Sequence, residues 1–279
     1  MERQLDQLRR ETMDKNKMRD DFEREGYFVL EGLISQEELG ECAREIERLH
    51  EVGARLRTAG DVRGSEFQLE PNADDDGEGL PVLRKIEKTR NLSAVFRRLA
   101  EHPNLLGAVR QLLGDDLLLF RSTLMLKPAH HGSAHGLHQD SSYWPVEPPA
   151  LVTVSIALAD ASPENGCFQV IPRSHRSGMK QWGQIQRDSS ESITDRNDVD
   201  PNDLVDVPLK AGSALLFHSL TVHGSRANNS SRPRHTALYA YFPPTVRYRP
   251  RPNGPREMVF PVVSGLGGKT EVTLTAEGG

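Results

Sequence analysis

Residues 151–171 read LVTVSIALADASPENGCFQVI, and this stretch decides the fold class. Val152, Val154, Ile156 and Leu158 alternate with Thr153, Ser155 and Ala157. A period of two puts the branched residues on one face of a strand and the small polar ones on the other. Glu164-Asn165-Gly166 is a turn signal, and Cys167 to Ile171 follows as a short returning strand. Working outward, Leu117 to Lys127 is a long apolar run that Pro128 bounds. Ala211-Gly212 turns the chain into Ala214 to His218, and Leu220 to His223 reads as a further extended piece. His235 to Phe242 alternates again before Pro243-Pro244, and Thr270 to Thr275 has the pattern of a small edge strand. Several short strands punctuated by turns indicate a sandwich or barrel.

The N-terminal part has a different period. Ser35 with Glu38 three residues on is a capping box. Leu39, Cys42, Ala43, Ile46 and Leu49 then recur at helical spacing, giving a helix over 36–50. A second helical stretch covers 91–113, interrupted at Pro103 and ended near Gly114. Residues 58–80 and 180–206 are polar and lack period, so they read as loops. Their position beside the strands suggests mobile covers over a pocket.

The chain has 279 residues and a net charge of −5, from 35 basic and 40 acidic residues. That balance argues against nucleic acid as a partner. Two cysteines, Cys42 and Cys167, make no disulfide framework and suit a reducing, cytoplasmic setting. Met1 to Asp20 is charged throughout, with no signal-peptide core, and no stretch is long and apolar enough to span a membrane.

Candidate chemistry sits at His138-Gln139-Asp140, followed much later by His223 and Arg234. Residues i and i+2 of an extended segment share a face, so His138 and Asp140 can converge on one ion while Gln139 points elsewhere. His223 can supply a third ligand from another strand. Two imidazoles and a carboxylate suit Fe(II), Mn(II) or Zn(II), and an open-faced arrangement of the three selects iron. Arg234 can offer a charged fork to a carboxylate. His130, His131 and His135 fall in a Gly-containing stretch and read as solvated, while His175 and His218 read as hydrogen-bonded structural histidines.

Five segments carry a resemblance. They are DDFEREGYFVLEGLISQEELGECAREIERL (20–49), HPNLLGAVRQLLGDD (102–116), LHQDSSYW (137–144), IALADASPENGCFQVIPRSH (156–175) and LKAGSALLFHSLTVHGSRANNSSRPRHTALYAYF (209–242). In this order they resemble the phytanoyl-CoA dioxygenase family of Fe(II)/2-oxoglutarate oxygenases. The resemblance implies an all-β core with flanking helices, folded as a double-stranded β-helix (a cupin-like jelly-roll). It implies one domain over 1–279, with a helical buttress over about 18–114 and a jelly-roll core over about 117–245. His138, Asp140 and His223 fall at the iron ligands, and Arg234 at the arginine that grips the far carboxylate of 2-oxoglutarate. Lys127 and Gln139 match positions that help hold that cosubstrate. The implied reaction hydroxylates a C–H bond of a small-molecule substrate, consuming O2 and releasing succinate and CO2. The same cofactors also support epoxidation, desaturation or cyclisation, and a jelly-roll that only binds a metal or ligand is the rival of another class. No nucleic acid or membrane partner is expected, and the protein would be a monomer or homodimer. Two departures stand out. Ser155 lies where many relatives carry tryptophan, and Arg173 stands where a glycine would permit a positive φ.

Overall fold

The computed structural model describes residues 17–71, 80–181, 199–250 and 252–276. Residues 17–25 form helix α1 and lead into strand β1 (Tyr27–Leu30). Helix α2 (Gln36–Thr58) follows, with Ser35 and Glu38 forming the reciprocal capping box that the sequence announces. It runs past the expected end at residue 50 because Gly53 and Leu56 extend the packed stripe. Gly53 is required there, since a Cβ would lie 2.6 Å from the Phe67 ring. The second helical stretch is broken into α3 (Thr89–Leu92), α4 (Ala94–Ala100) and α5 (Pro103–Leu113). Ser93 makes the first break, because its hydroxyl caps α4 by accepting from the Phe96 N–H. Pro103 opens α5 at the position where its missing N–H costs nothing.

The remaining strands are β2 (Phe67–Leu69), β3 (Leu83–Glu87), β4 (Leu117–Lys127), β5 (His135–His138), β6 (Val146–Glu147), β7 (Val152–Ala157) and β8 (Phe168–Val170). Then come β9 (Val205–Val207), β10 (Ala214–His218), β11 (His223–Ser225), β12 (Arg234–Phe242), β13 (Arg247–Tyr248), β14 (Glu257–Ser264) and β15 (Glu271–Thr275). Among the described residues the major sheet runs β1-β10-β7-β12-β4-β14-β15, with β3 also paired to β4 and β2 to β3. The minor sheet runs β5-β11-β8-β9. All these pairings are antiparallel. Two facing antiparallel sheets of this kind make the expected double-stranded β-helix.

The alternation in β7 divides the molecule. Val152, Val154 and Ile156 join Tyr239, Tyr241, Leu124 and Leu126 on the outer face of the major sheet, against Leu39, Ile46, Leu49, Phe96 and Leu105 of the helices. Each such fully buried Leu, Ile or Phe contributes roughly 1.5–3 kcal/mol. The Tyr239 and Tyr241 hydroxyls donate to the carbonyls of Phe96 and Ala100, at 2.9 and 2.7 Å. These bonds tie α4 to the sheet and satisfy a carbonyl at its end. On the inner face Leu215 and Phe217 meet Phe168, Val170 and Val207 of the minor sheet.

Several expectations change. Leu220 to Val222 is a turn, closed by the Thr221 N–H on His218 O, and the strand starts only at His223. β14 carries no clear period-two pattern, and it is what gives the expected edge strand β15 a partner. Part of the expected loop 58–80 is ordered as a 3-10 turn (Val62–Glu66) and β2. The stretch expected as loop at 180–206 contains β9. Residues 72–79 and 182–198, the centres of the two expected covers, lie outside the described residues.

Candidate metal and cosubstrate site

Residues paired across adjacent strands share a face, so the register shows what enters the space between the sheets. On β12, Arg234, Thr236, Leu238 and Ala240 pair with Lys127, Met125, Thr123 and Arg121 of β4. On the other side Thr236, Leu238 and Ala240 pair with Ala157, Ser155 and Thr153 of β7. On β3, Lys85 and Glu87 pair with Met125 and Thr123. This inner face and the minor sheet enclose a cavity with about 630 Å³ of atom-free space, part of it open to solvent.

His138 closes β5, opposite His223 at the start of β11. Asp140 follows after Gln139, whose backbone is still extended at φ −117° and ψ 131°. The i, i+2 reading therefore holds, and the three side chains meet. Their ligand atoms all lie within 4.8 Å of one another, and the two imidazole rings are 4.2 Å apart. His138 Nε2 and His223 Nε2 stand 3.6 and 3.9 Å from Asp140 Oδ1. Neighbouring ligands on a ~2.1 Å coordination sphere are roughly 3 Å apart, so a small contraction would close the set on an ion.

The surroundings prepare the donor atoms. His138 Nδ1 donates to Gly136 O and His223 Nδ1 to Thr221 O, each at 2.9 Å. A carbonyl can only accept, so both rings are fixed in the tautomer whose Nε2 carries the free lone pair. Burial lowers the His223 pKa to about 4, which keeps the ring neutral and able to ligate. The Thr153 hydroxyl donates to Asp140 Oδ2 at 2.6 Å, leaving Oδ1 for the ion. Burial alone would raise the Asp140 pKa, yet its polar neighbours His138, His223 and Thr153 hold it at about 2. Two imidazoles and one carboxylate on a single side, with the cavity on the other, fit an open-faced divalent ion.

Arg234 lines the same cavity and is 2% exposed. Its Nη1 donates to Thr236 Oγ1 at 3.0 Å, and its guanidinium lies 5.4 Å over the Phe168 ring. Its Nε is buried without an acceptor, and no carboxylate pairs with it among the described residues. Burial pushes its pKa down to about 10, so it stays charged at neutral pH. A buried, charged and under-satisfied fork beside a metal set fits a carboxylate ligand. Ser155 is fully buried on the same face, and its hydroxyl also lacks a partner among the described residues. The small side chain leaves room where a tryptophan would fill it.

Two residues grouped with the cosubstrate by sequence are engaged elsewhere. Lys127 Nζ donates to Ser133 O at 2.5 Å and Arg226 O at 2.6 Å, tying two loops together. Gln139 donates to Gly178 O and Leu220 O and accepts from Lys180 N. Neither side chain lines the cavity. His135 departs from its solvated reading, because it lines the cavity and packs edge-on against His138. Burial lowers its pKa well below the usual histidine value, and Arg84 Nη2 lies 3.4 Å from its Nδ1. His175 and His218 do bond backbone, at Glu23 O and the Leu220 N–H. Arg173 adopts φ 66° despite its Cβ, held by its N–H on Glu25 O at 2.7 Å and its side chain on the Glu25 carboxylate. Lys85 and Arg121 line the cavity and went unnoticed in the sequence, as did Thr153.

Comparison with known proteins places this geometry among relatives. The phytanoyl-CoA dioxygenase (PhyH) family matches residues 22–236. An ectoine dioxygenase of Bordetella bronchiseptica is 30% identical over 254 residues, covering 83% of this chain and 78% of that protein. Phytanoyl-CoA dioxygenase domain-containing protein 1 of Danio rerio is 29% identical, covering 78% of this chain and 86% of its own. A crystal structure of EctD from S. alaskensis with 2-oxoglutarate and 5-hydroxyectoine superposes with a TM-score of 0.65 at 27% identity, covering 85% of this chain and 81% of that one.

Proposed function

The chain belongs to the phytanoyl-CoA dioxygenase family, and from that premise we propose how its own residues carry the activity. The protein is a 2-oxoglutarate-dependent dioxygenase that uses Fe(II) and O2 on a small-molecule substrate. The bound cofactors supply the oxidising power: one atom of O2 enters a substrate C–H bond, and 2-oxoglutarate leaves as succinate and CO2.

In our reading, His138 Nε2, His223 Nε2 and Asp140 Oδ1 are the three protein ligands to iron. Gly136, Thr221 and Thr153 orient them. Arg234 grips the far carboxylate of 2-oxoglutarate, and Thr236 fixes the angle of its fork. The inner faces of the two sheets exclude bulk water from the reacting atoms. The observation that carries this reading is the pairing, in one cavity, of a tautomer-fixed His-Asp-His set with a buried arginine whose Nε has no acceptor. Lys127 and Gln139 serve as scaffold. The reduced, buried cysteines and the acidic balance favour action in the cytoplasm without nucleic acid, as a monomer or homodimer.

Ectoine, the compound named in the bacterial relatives, is the first substrate to test. Anaerobically reconstituted protein should form succinate from 2-oxoglutarate on admission of air. Addition of the true substrate should speed that turnover and give a product one oxygen atom heavier. His223→Ala should abolish both signals. Succinate formation unchanged in His223→Ala would remove the proposed ligand set.

A further inference from the structure

One group of charges in the cavity lies outside the set assigned above to iron and 2-oxoglutarate. Lys85 Nζ and Arg121 Nη2 both bond the same Glu87 oxygen, Oε1, at 2.5 and 2.9 Å. Arg121 Nε donates to Thr123 Oγ1 at 3.0 Å, and the Thr123 hydroxyl lies 3.4 Å from Glu87 Oε2. Two cations therefore share one carboxylate. A guanidinium has five N–H donors and an ammonium three, and these contacts spend two on Arg121 and one on Lys85. The side chains are 18% and 33% exposed for Lys85 and Arg121, so the free donors lie at a half-sheltered wall, not in open solvent. Burial, with Arg121 beside it, lowers the Lys85 pKa to about 8 although Glu87 pulls the other way.

The position of Arg121 separates it from the cosubstrate clamp, whereas Lys85 stands at the register of Thr236 and joins Arg121 through Glu87. Arg121 pairs with Ala240, six residues along β12 from Arg234. At about 3.3 Å per residue that is roughly 20 Å of strand between the two backbone positions. Ala240 is in turn the neighbour of Thr153, which bonds the metal-binding Asp140. Arg121 thus stands at the metal-set end of the sheet, and Arg234 at the other end. Trp144 also lines the cavity, and its ring packs 4.9 Å from Phe120, giving an apolar wall beside the charges.

We propose that Arg121 and Lys85, braced by Glu87, form the subsite for an anionic group of the substrate, and that the substrate is a small carboxylic acid. This rests on the iron and 2-oxoglutarate reading of the same cavity and deepens it by naming the substrate class. Glu87 sets the spacing of the two cations, and the incoming carboxylate supplies the missing negative charge. The Trp144 wall takes the apolar part of the molecule, and the C–H to be attacked lies between the two.

The test uses full-length protein loaded with Ni(II), which cannot turn over, and saturating 2-oxoglutarate. Saturation-transfer NMR and calorimetry measure binding of matched pairs: ectoine, proline, pipecolate and 3-phenylpropionate, each against its carboxamide. At least one acid should bind about 10- to 100-fold more tightly than its amide, the range of a charge-assisted contact. In Arg121→Gln and Lys85→Met that ratio should collapse toward one. Glu87→Gln, which adds a net positive charge in the same shape, should keep or widen it, and this variant carries the test if either cation variant fails to fold. Equal binding of acids and amides, no binding of any acid, or an undiminished ratio in both cation variants would overturn the proposal. A preference for phosphate monoesters over every acid would overturn the carboxylic-acid assignment. Failure of the underlying reading looks different, because wild-type protein with Ni(II) would then not bind 2-oxoglutarate at all.

Discussion

Replacing Arg234 by methionine isolates the cosubstrate clamp. The side chain is 2% exposed, spends one N–H group on Thr236 and leaves Nε without an acceptor. Without ligand it is a buried charge with no counter-ion among the described residues, a costly state. Methionine keeps most of the volume and removes the charge, so the ligand-free variant should melt no lower than wild type. The gain in wild type comes on binding, when a carboxylate meets the fork. Two charge-assisted bonds are worth about 2–4 kcal/mol, or ~30- to 1,000-fold in affinity. Thermal melting with Ni(II) and 2-oxoglutarate reads this directly. At a ligand concentration of about 100 Kd, wild type gains roughly 2.7 kcal/mol, near 5–10 °C in Tm. The variant at the same concentration should gain under about 1 kcal/mol. An Arg234→Met protein that keeps 2-oxoglutarate affinity within about threefold would refute the clamp, since that loss is under 1 kcal/mol.

Three further outcomes follow from the same structure. Thr153→Val strips the 2.6 Å hydroxyl from Asp140 Oδ2, and chelator competition should show metal affinity down about 10- to 100-fold, as for other orienting groups; unchanged affinity would show that the hydroxyl does not position the ligand. Tyr241→Phe removes the 2.7 Å bond to Ala100 O that anchors α4, so chemical denaturation should show a loss of about 1–2 kcal/mol, with 2-oxoglutarate affinity intact. Lys85 faces Glu87 and Arg84 of its own strand and Arg121 of β4, and its pKa is lowered to about 8. Protonated below that value and neutral above it, it should let the KM for an acidic substrate rise as pH passes through about 8, and in Lys85→Met this rise should vanish.

The part of this molecule that sequence exposes is the part where local pattern and tertiary role coincide. The alternation Val152 to Ala157 is legible because one face of β7 meets helices and the other the cavity. His138, Asp140 and His223 are legible because i, i+2 geometry is a property of the strand itself, and the family motifs fix the third residue. Lys85 and Arg121 are not legible. They lie 36 residues apart on β3 and β4, and only the register Glu87↔Thr123 brings them to one carboxylate. His135 misled for the same reason, since a Gly-flanked histidine reads as loop until pairing with β11 makes it strand. Lys127 and Gln139 sit beside the site in sequence, but their polar atoms are taken by backbone groups from distant loops. The apolar spacing from Leu39 to Leu49 stops short of the end of α2, which continues because Gly53 is the contact surface for Phe67. β14 was missed because MVFPVV lacks alternation and contains a proline.

The most direct test of the account is an anaerobic crystal structure of the protein with Fe(II) and 2-oxoglutarate. One ion should be bound by His138 Nε2, His223 Nε2 and Asp140 Oδ1 at ~2.0–2.2 Å, and the far carboxylate of 2-oxoglutarate should lie on the Arg234 guanidinium. An ion held by other residues, or a far carboxylate bound away from Arg234, would contradict it.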